Sequence, residues 1–215
     1  MILFSYFRSS ASFRVRLALA LKSIRPDEVR YVNLREGQQH DEAYRSINPQ
    51  KLVPALALDD GALLSQSIAI MEYLEETYTD APKLLPADAI GRARVRSIAQ
   101  YIACELQPLG NLRVLNYLTQ NLAHSDEEKQ QWLQHWLSTG LAALEAQMQR
   151  DGRTGTFCHG DNPTMADCCL LPQIFAAQRF GVDLTPYPTL RRIQASMLAL
   201  EEIQPALPAN QPDAI

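Results

Sequence analysis

The strongest constraint on this chain is a change of hydrophobic period near residue 80. Before it, short apolar runs switch between a two-residue and a 3.6-residue repeat; after it only the helical repeat persists. Ile2–Phe7 reads as an apolar strand. Ser10–Lys22 follows as a helix, with Phe13, Leu17 and Leu21 at spacing four and Ala18 beside them. Val29–Leu34 reads as a second strand and Asp41–Ile47 as a short helix stopped by Asn48-Pro49. Ala55–Leu58 and Ala62–Leu64 flank Asp59-Asp60-Gly61, a hairpin signal. Ser67–Tyr78 carries Ile68, Met71, Leu74 and Tyr78 along one helical stripe. The order is β-α-β-α-β-β-α. The first strand-helix-strand implies parallel pairing and the hairpin adds an antiparallel strand. The expectation is a small α/β sheet of about four strands.

Residues 80–91 hold two prolines and no period, and read as a linker. Beyond them, Val95, Ile98, Ile102, Leu106 and Leu109 mark a long helix bent near Pro108, continued by Leu112, Leu115 and Leu118. Trp132, Trp136, Leu137, Leu141, Leu144 and Met148 mark another. Thr164-Met165-Ala166-Asp167 reads as a capping box opening a helix that stops before Gly181. A last helix is expected near Thr189–Ala199. The domains expected are therefore 1–80, α/β, and 91–215, all-helical.

Composition narrows the function classes. Of 215 residues, 47% are hydrophobic and 20% charged, with a net charge of −4. That is globular composition, and it argues against a dedicated nucleic-acid binder, which carries a basic domain. No apolar run approaches the roughly 18 residues of a membrane span. Met1–Arg8 lacks a basic leader and reads as a strand, not a signal peptide. Cys104, Cys158, Cys168 and Cys169 form no C-x-x-C pair, and no metal-ligand spacing appears with the four histidines. The reading is reduced packing cysteines in a cytoplasmic protein, without a metal.

Three loop segments have chemistry to offer. Arg8-Ser9-Ser10-Ala11-Ser12-Phe13-Arg14-Val15-Arg16 lies where a strand ends and a helix begins; its serines read first as helix caps and otherwise as donors in an anion site. Gln50-Lys51-Leu52-Val53-Pro54-Ala55 places a proline just before a strand, either as a loop stop or as a cis turn that exposes the Val53 backbone to an extended peptide. Ser65-Gln66-Ser67-Ile68 opens a second helix, either as a cap or as a carboxylate site. Around one sheet, the three suit a small anionic peptide.

These residues carry a resemblance. The first half resembles the thioredoxin-fold domain of glutathione transferases: Val53-Pro54 is similar to their cis-proline turn and Gln66-Ser67 to their γ-glutamyl site. Ser9–Arg16 resembles the signature of the zeta class, the maleylacetoacetate isomerases. Gln107-Pro108-Leu109-Gly110-Asn111-Leu112-Arg113-Val114-Leu115 and Arg179-Phe180-Gly181-Val182-Asp183-Leu184-Thr185-Pro186-Tyr187-Pro188 resemble further segments of that class. Ala11 stands where many members carry a cysteine, and Gly110 where a glutamine is common.

The resemblance implies a thioredoxin-like domain followed by a helical bundle. It implies glutathione as cofactor, with Ser9 on the sulfur and Ser10 as second donor. Ala11, Gln39, Val53, Gln66, Ser67, Gln107 and Asn111 would line the peptide. Arg8, Arg113 and Arg179 would meet the carboxylates of a maleyl oxo-acid, while Arg14 and Arg16 would face solvent or brace the interface between the halves. The implied reaction is cis–trans isomerisation of maleylacetoacetate or maleylpyruvate by a homodimer, free of nucleic acid and membrane. A general transferase acting on small α-haloacids and a non-catalytic adaptor are the alternatives.

Overall fold

The computed structural model describes residues 1–214 and divides into two compact units. One comprises Met1–Leu84 together with the stretch from Leu200; the other is Leu85–Ala199. The first unit holds β1 (Ile2–Ser5), α1 (Ser10–Leu21), β2 (Glu28–Tyr31), α2 (Glu42–Arg45), β3 (Ala55–Ala57), β4 (Leu63–Ser65) and α3 (Ser67–Thr77). Its sheet order is β2-β1-β3-β4, with β1 and β2 parallel and the other pairings antiparallel. This is the four-stranded mixed sheet expected from the element order, in the thioredoxin-like arrangement that the resemblance implies. The hairpin turns on Asp59-Asp60-Gly61, where Gly61 takes the left-handed φ of +88° and the Asp60 carboxylate accepts the Ala62 N–H at 2.9 Å.

Alternation along the strands sends Phe4 and Ala55 to a cluster with Tyr6, Val32, Tyr44 and Val53. Leu3 and Leu56, paired across β1 and β3, point to the opposite face and are buried. Helix α1 packs on α3, which touches β3 and β4. The expected Phe13–Leu17–Leu21 stripe understates α1, whose residues Ser12–Leu19 are all buried. Arg14 and Arg16, expected at a solvent or interface position, lie inside this unit instead. Arg14 Nη1 donates to Ser67 Oγ at 3.2 Å. Arg16 donates to Ala206 O at 3.0 Å, Ser5 Oγ at 3.2 Å, Tyr6 O at 3.3 Å and Phe7 O at 3.1 Å. Burial pulls Arg16 down to about 10, against the opposing pull of the Asp213 charge.

The stretch from Leu200 departs from the expected 91–215 division. It forms 3₁₀ turns at Glu201–Ala206 and Pro208–Asn210 and packs against α1. It carries no helical period; Ile203 and Ala206 are buried, and Ala206 O accepts from Arg16 of α1.

The second unit is helical: α4 (Ala89–Gln100), α5 (Leu112–Asn116), α6 (Asp126–Arg150), α7 (Met165–Arg179) and α8 (Pro188–Leu198). The single bent helix expected across Pro108 is in fact interrupted. A wide π-turn at Tyr101–Leu106 and a 3₁₀ turn at Gln107–Gly110 separate α4 from α5. Pro108 cannot donate to a continuing helix, and the Asn111 side chain accepts the Arg113 N–H at 3.1 Å to start a new one. Gly140 of α6 permits close approach here, since a Cβ would clash with Leu106 Cδ1. Glu145 of α6 accepts the N–H groups of Thr189 and Leu190 at 2.9 and 3.0 Å, satisfying the start of α8.

At α7 the buried Asp167 carboxylate accepts the Thr164 N–H at 2.8 Å, the Thr164 hydroxyl at 2.7 Å and the Cys158 N–H at 2.8 Å. Burial raises the Asp167 carboxyl, and these donors pull it partly back. Asp167→Ala leaves two buried N–H groups without acceptors. It is expected to cost about 2–4 kcal/mol in urea unfolding. A loss below about 0.5 kcal/mol would mean that water replaces the carboxylate freely.

Candidate functional site

The sheet register gathers the three segments singled out from sequence. Tyr31 stands beside Ser5, Phe4 beside Ala55, and Ala55 beside Ser65, so these residues form a row across one end of the sheet. Strands spaced about 4.8 Å apart make that row roughly 15 Å wide. From it emerge the Tyr6–Ser9 turn after β1, the loop bearing Gln39 after β2, the Val53-Pro54 turn before β3, and Gln66-Ser67 after β4. The first helical turns of α1 and α3 therefore sit at the same end. Neither carries an acidic residue in its first turn, so nothing cancels the positive ends of the two dipoles.

Each segment has a local reason for its shape. Ser9 is the N-cap of α1: its Oγ accepts the Ser12 N–H at 3.1 Å, and its own N–H donates to Tyr6 O at 3.0 Å. A hydroxyl that accepts in this way keeps its proton to donate outward. Ser10 and Ala11, both half-buried, occupy the first helical positions, whose N–H groups have no carbonyl one turn back. Cap and anion site are thus compatible roles for one stretch.

The Val53-Pro54 bond is cis, and the β3 ladder begins only at Ala55, leaving the Val53 peptide outside it. Gln66 has a left-handed φ of +71° with ψ 118°, a strained backbone for a residue with a Cβ, at a cost on the order of 1–3 kcal/mol. Its exposed side chain donates to Gln50 Oε1 at 2.8 Å, a partner not legible as such in the sequence. Ser67 is buried and its Oγ accepts from Arg14, which ties α3 to α1 at this end. Gln39 lies in the 3₁₀ turn Gln38–His40, and its amide oxygen is buried without a hydrogen-bond partner among the described residues.

Arg8 follows β1 at this end, half-buried, its guanidinium 6.0 Å from the Phe7 ring. The remaining candidates belong to the helical unit. Gln107 sits in the 3₁₀ turn after α4, Asn111 caps α5, and Arg113 is exposed on that helix. Arg179 is exposed at the end of α7, stacked 4.8 Å from the Phe180 ring. None of the four cysteines forms a disulfide among the described residues, and no group of three or more His, Cys, Asp and Glu is disposed to hold a metal ion there. Among the described residues no helix is long and apolar enough to cross a membrane.

Comparison with known proteins places this geometry. Residues 8–77 match the glutathione S-transferase N-terminal domain and residues 126–209 the C-terminal domain. The fold is that of the glutathione transferases. The mouse maleylacetoacetate isomerase is 49% identical over 214 residues, covering 99% of this chain and 94% of that one. A solved holo maleylpyruvate isomerase, described as a bacterial zeta-class glutathione S-transferase, superposes with a TM-score of 0.95 at 43% identity over 100% of both chains. A maleylacetoacetate isomerase structure from Anaeromyxobacter dehalogenans 2CP-1, with GSH bound in its active site, gives 0.88 at 45% identity, covering 100% of this chain and 97% of that one. The chain belongs to the zeta-class family of maleylacetoacetate and maleylpyruvate isomerases.

Proposed function

We propose that this protein is a glutathione-dependent cis–trans isomerase that converts maleylacetoacetate or maleylpyruvate to the fumaryl isomer. The observation that carries the reading is the row of Ser9, Val53 and Gln66-Ser67 at one sheet end, in a chain alike over its full length to such isomerases.

The residues fit a bound glutathione. An extended tripeptide reaches about 10 Å, within the roughly 15 Å row. The Val53 peptide lies outside the ladder and suits main-chain pairing with the cysteinyl amide. The buried Gln39 oxygen needs a donor, and the N–H groups at the start of α3 suit the γ-glutamyl carboxylate beside Gln66 and Ser67. Gln107 and Asn111 supply further amide contacts.

Glutathione supplies the thiolate that adds reversibly to the maleyl double bond and so frees it to rotate. The protein's part is electrostatic. Ser9 donates its hydroxyl proton toward the sulfur, with Ser10 as second donor, and the open N–H groups at the start of α1 favour the charge. Ala11 offers only its backbone there, so no protein thiol takes part at that position. Arg8, Arg113 and Arg179 hold substrate carboxylates by charge-assisted hydrogen bonds. The enzyme works as a cytoplasmic homodimer, a setting in keeping with three buried cysteines and no disulfide among the described residues.

The test is the ultraviolet absorbance change of maleylpyruvate and maleylacetoacetate with the protein, with and without glutathione. Conversion of either one, only when glutathione is present, is the expected result. Turnover of an α-haloacid with neither isomerisation would replace this reading with the transferase one.

A further inference from the structure

We propose that the C-terminal stretch is a positioning strap for the sulfur-holding turn, acting through Asp213. This rests on the reading that Ser9 holds the glutathione sulfur.

The turn Tyr6–Ser9 leaves the sheet and delivers Ser9 to the head of α1. Its backbone polar groups are held from two sides. The Asp213 carboxylate accepts the Phe7 N–H at 2.9 Å across 206 residues of sequence. Arg16 donates to the carbonyls of Tyr6 and Phe7, and is itself tied to Ala206 O on the same C-terminal stretch. Within the turn, the Ser9 N–H donates to Tyr6 O at 3.0 Å. The backbone of the two residues before Arg8-Ser9 is thus held by groups from the far end of the chain and from α1.

The chemistry of the contacts makes Asp213 the sensitive member. A carboxylate accepting a backbone N–H is a charge-assisted bond, stronger than the amide–carbonyl bonds around it. It acts on the peptide two residues ahead of Ser9. Without it, the Tyr6–Phe7 peptide is held through its carbonyl alone, by Arg16 and the Ser9 N–H, and the Ser9 hydroxyl is less firmly directed; catalytic groups tolerate displacements of only about 0.5 Å. Asp213 touches neither sulfur nor substrate in this account, so it is a positioning residue.

The test compares Asp213→Ala, Asp213→Asn and Ser9→Ala in the full chain. Glutathione affinity is measured by calorimetry without substrate, and amide exchange at Phe7–Ser9 by NMR or mass spectrometry. Asp213→Ala is expected to weaken glutathione binding about tenfold and to speed exchange at Phe7. Asp213→Asn, whose amide oxygen still accepts the Phe7 N–H, is expected to stay within about threefold of the parent. A merely structural contact would lower the melting temperature of both variants while leaving the affinity of the folded fraction unchanged, and that result overturns the proposal. If Ser9→Ala weakens glutathione binding while Asp213→Ala does not, the strap alone fails. If Ser9→Ala binds and turns over like the parent, the sulfur-site reading fails and takes the strap with it.

Discussion

Ser9→Ala is expected to lower kcat/KM for glutathione-dependent isomerisation by roughly ten- to a hundredfold. A hydrogen bond to a charged group contributes about 1.5–3 kcal/mol, and each 1.4 kcal/mol is a factor of ten in rate. A free thiol titrates near 8.5, and holding it as thiolate two pH units lower needs roughly 2.7 kcal/mol. The helix start contributes about 0.3–1 kcal/mol of this, so the serine carries the larger share. Loss of Ser9 is therefore expected to move the rising limb of the pH–rate profile up by about one to two units. Ser10→Ala should cost less, because Ser10 sits one position inside the helix and the cap is Ser9. The cap has its own consequence. Removing the Ser9 Oγ leaves the Ser12 N–H without its acceptor and costs about 1 kcal/mol of stability. Unfolding curves separate this loss from the kinetic one. Equal rate losses in the two serine variants would sink the assignment of the sulfur to Ser9.

How far the sequence reached can be judged from particular residues. Element order survived because each element of the first unit carries its own period, and the hairpin and the Thr164–Asp167 box are local signals. The three site segments were visible for the same reason: turn and cap residues act within a few positions. Their meeting at one end was not visible, since it follows from the pairing of Phe4 with Ala55 and of Ala55 with Ser65. Buried charges were misread. Arg14 and Arg16 look like surface residues until Ser67 and Ala206 are brought to them across 53 and 190 positions. The stretch after Leu200 follows a helix and so reads with the helical half, while its packing in the fold is against α1. The interruption after Gln100 is invisible because Ile98, Ile102 and Leu106 keep a spacing of four straight through the π-turn.

The same blindness applies to the ion pair with the largest expected effect on stability. Lys22 Nζ meets Glu75 Oε2 at 2.9 Å, with side chains 0% and 4% exposed, joining the end of α1 to α3. Glu75 Oε2 also accepts the Leu84 N–H at 3.0 Å, and Lys22 donates to Pro82 O at 3.0 Å, so the pair fastens the segment leaving the first unit as well. Water screens neither charge. Glu75→Ala strands an ammonium and a peptide N–H in the interior and is expected to cost about 3–5 kcal/mol in urea unfolding. For a chain of this size that is a fall in Tm of about 10 °C. Lys22→Met should cost somewhat less, because the remaining carboxylate keeps the Leu84 N–H. The double variant Lys22→Met, Glu75→Met removes both charges, and it should recover much of the loss. It does not recover all, since the Leu84 N–H and Pro82 carbonyl still lack partners. A double-mutant cycle therefore gives a large coupling between the two sites. The Glu28–Arg30 pair is the internal contrast: both side chains are nearly half exposed, and its removal should stay within about 1 kcal/mol. Should Glu75→Ala prove as mild as that surface pair, the Lys22 charge must reach water in solution, and α1 and α3 would be held together by their apolar contacts and the Arg14–Ser67 hydrogen bond.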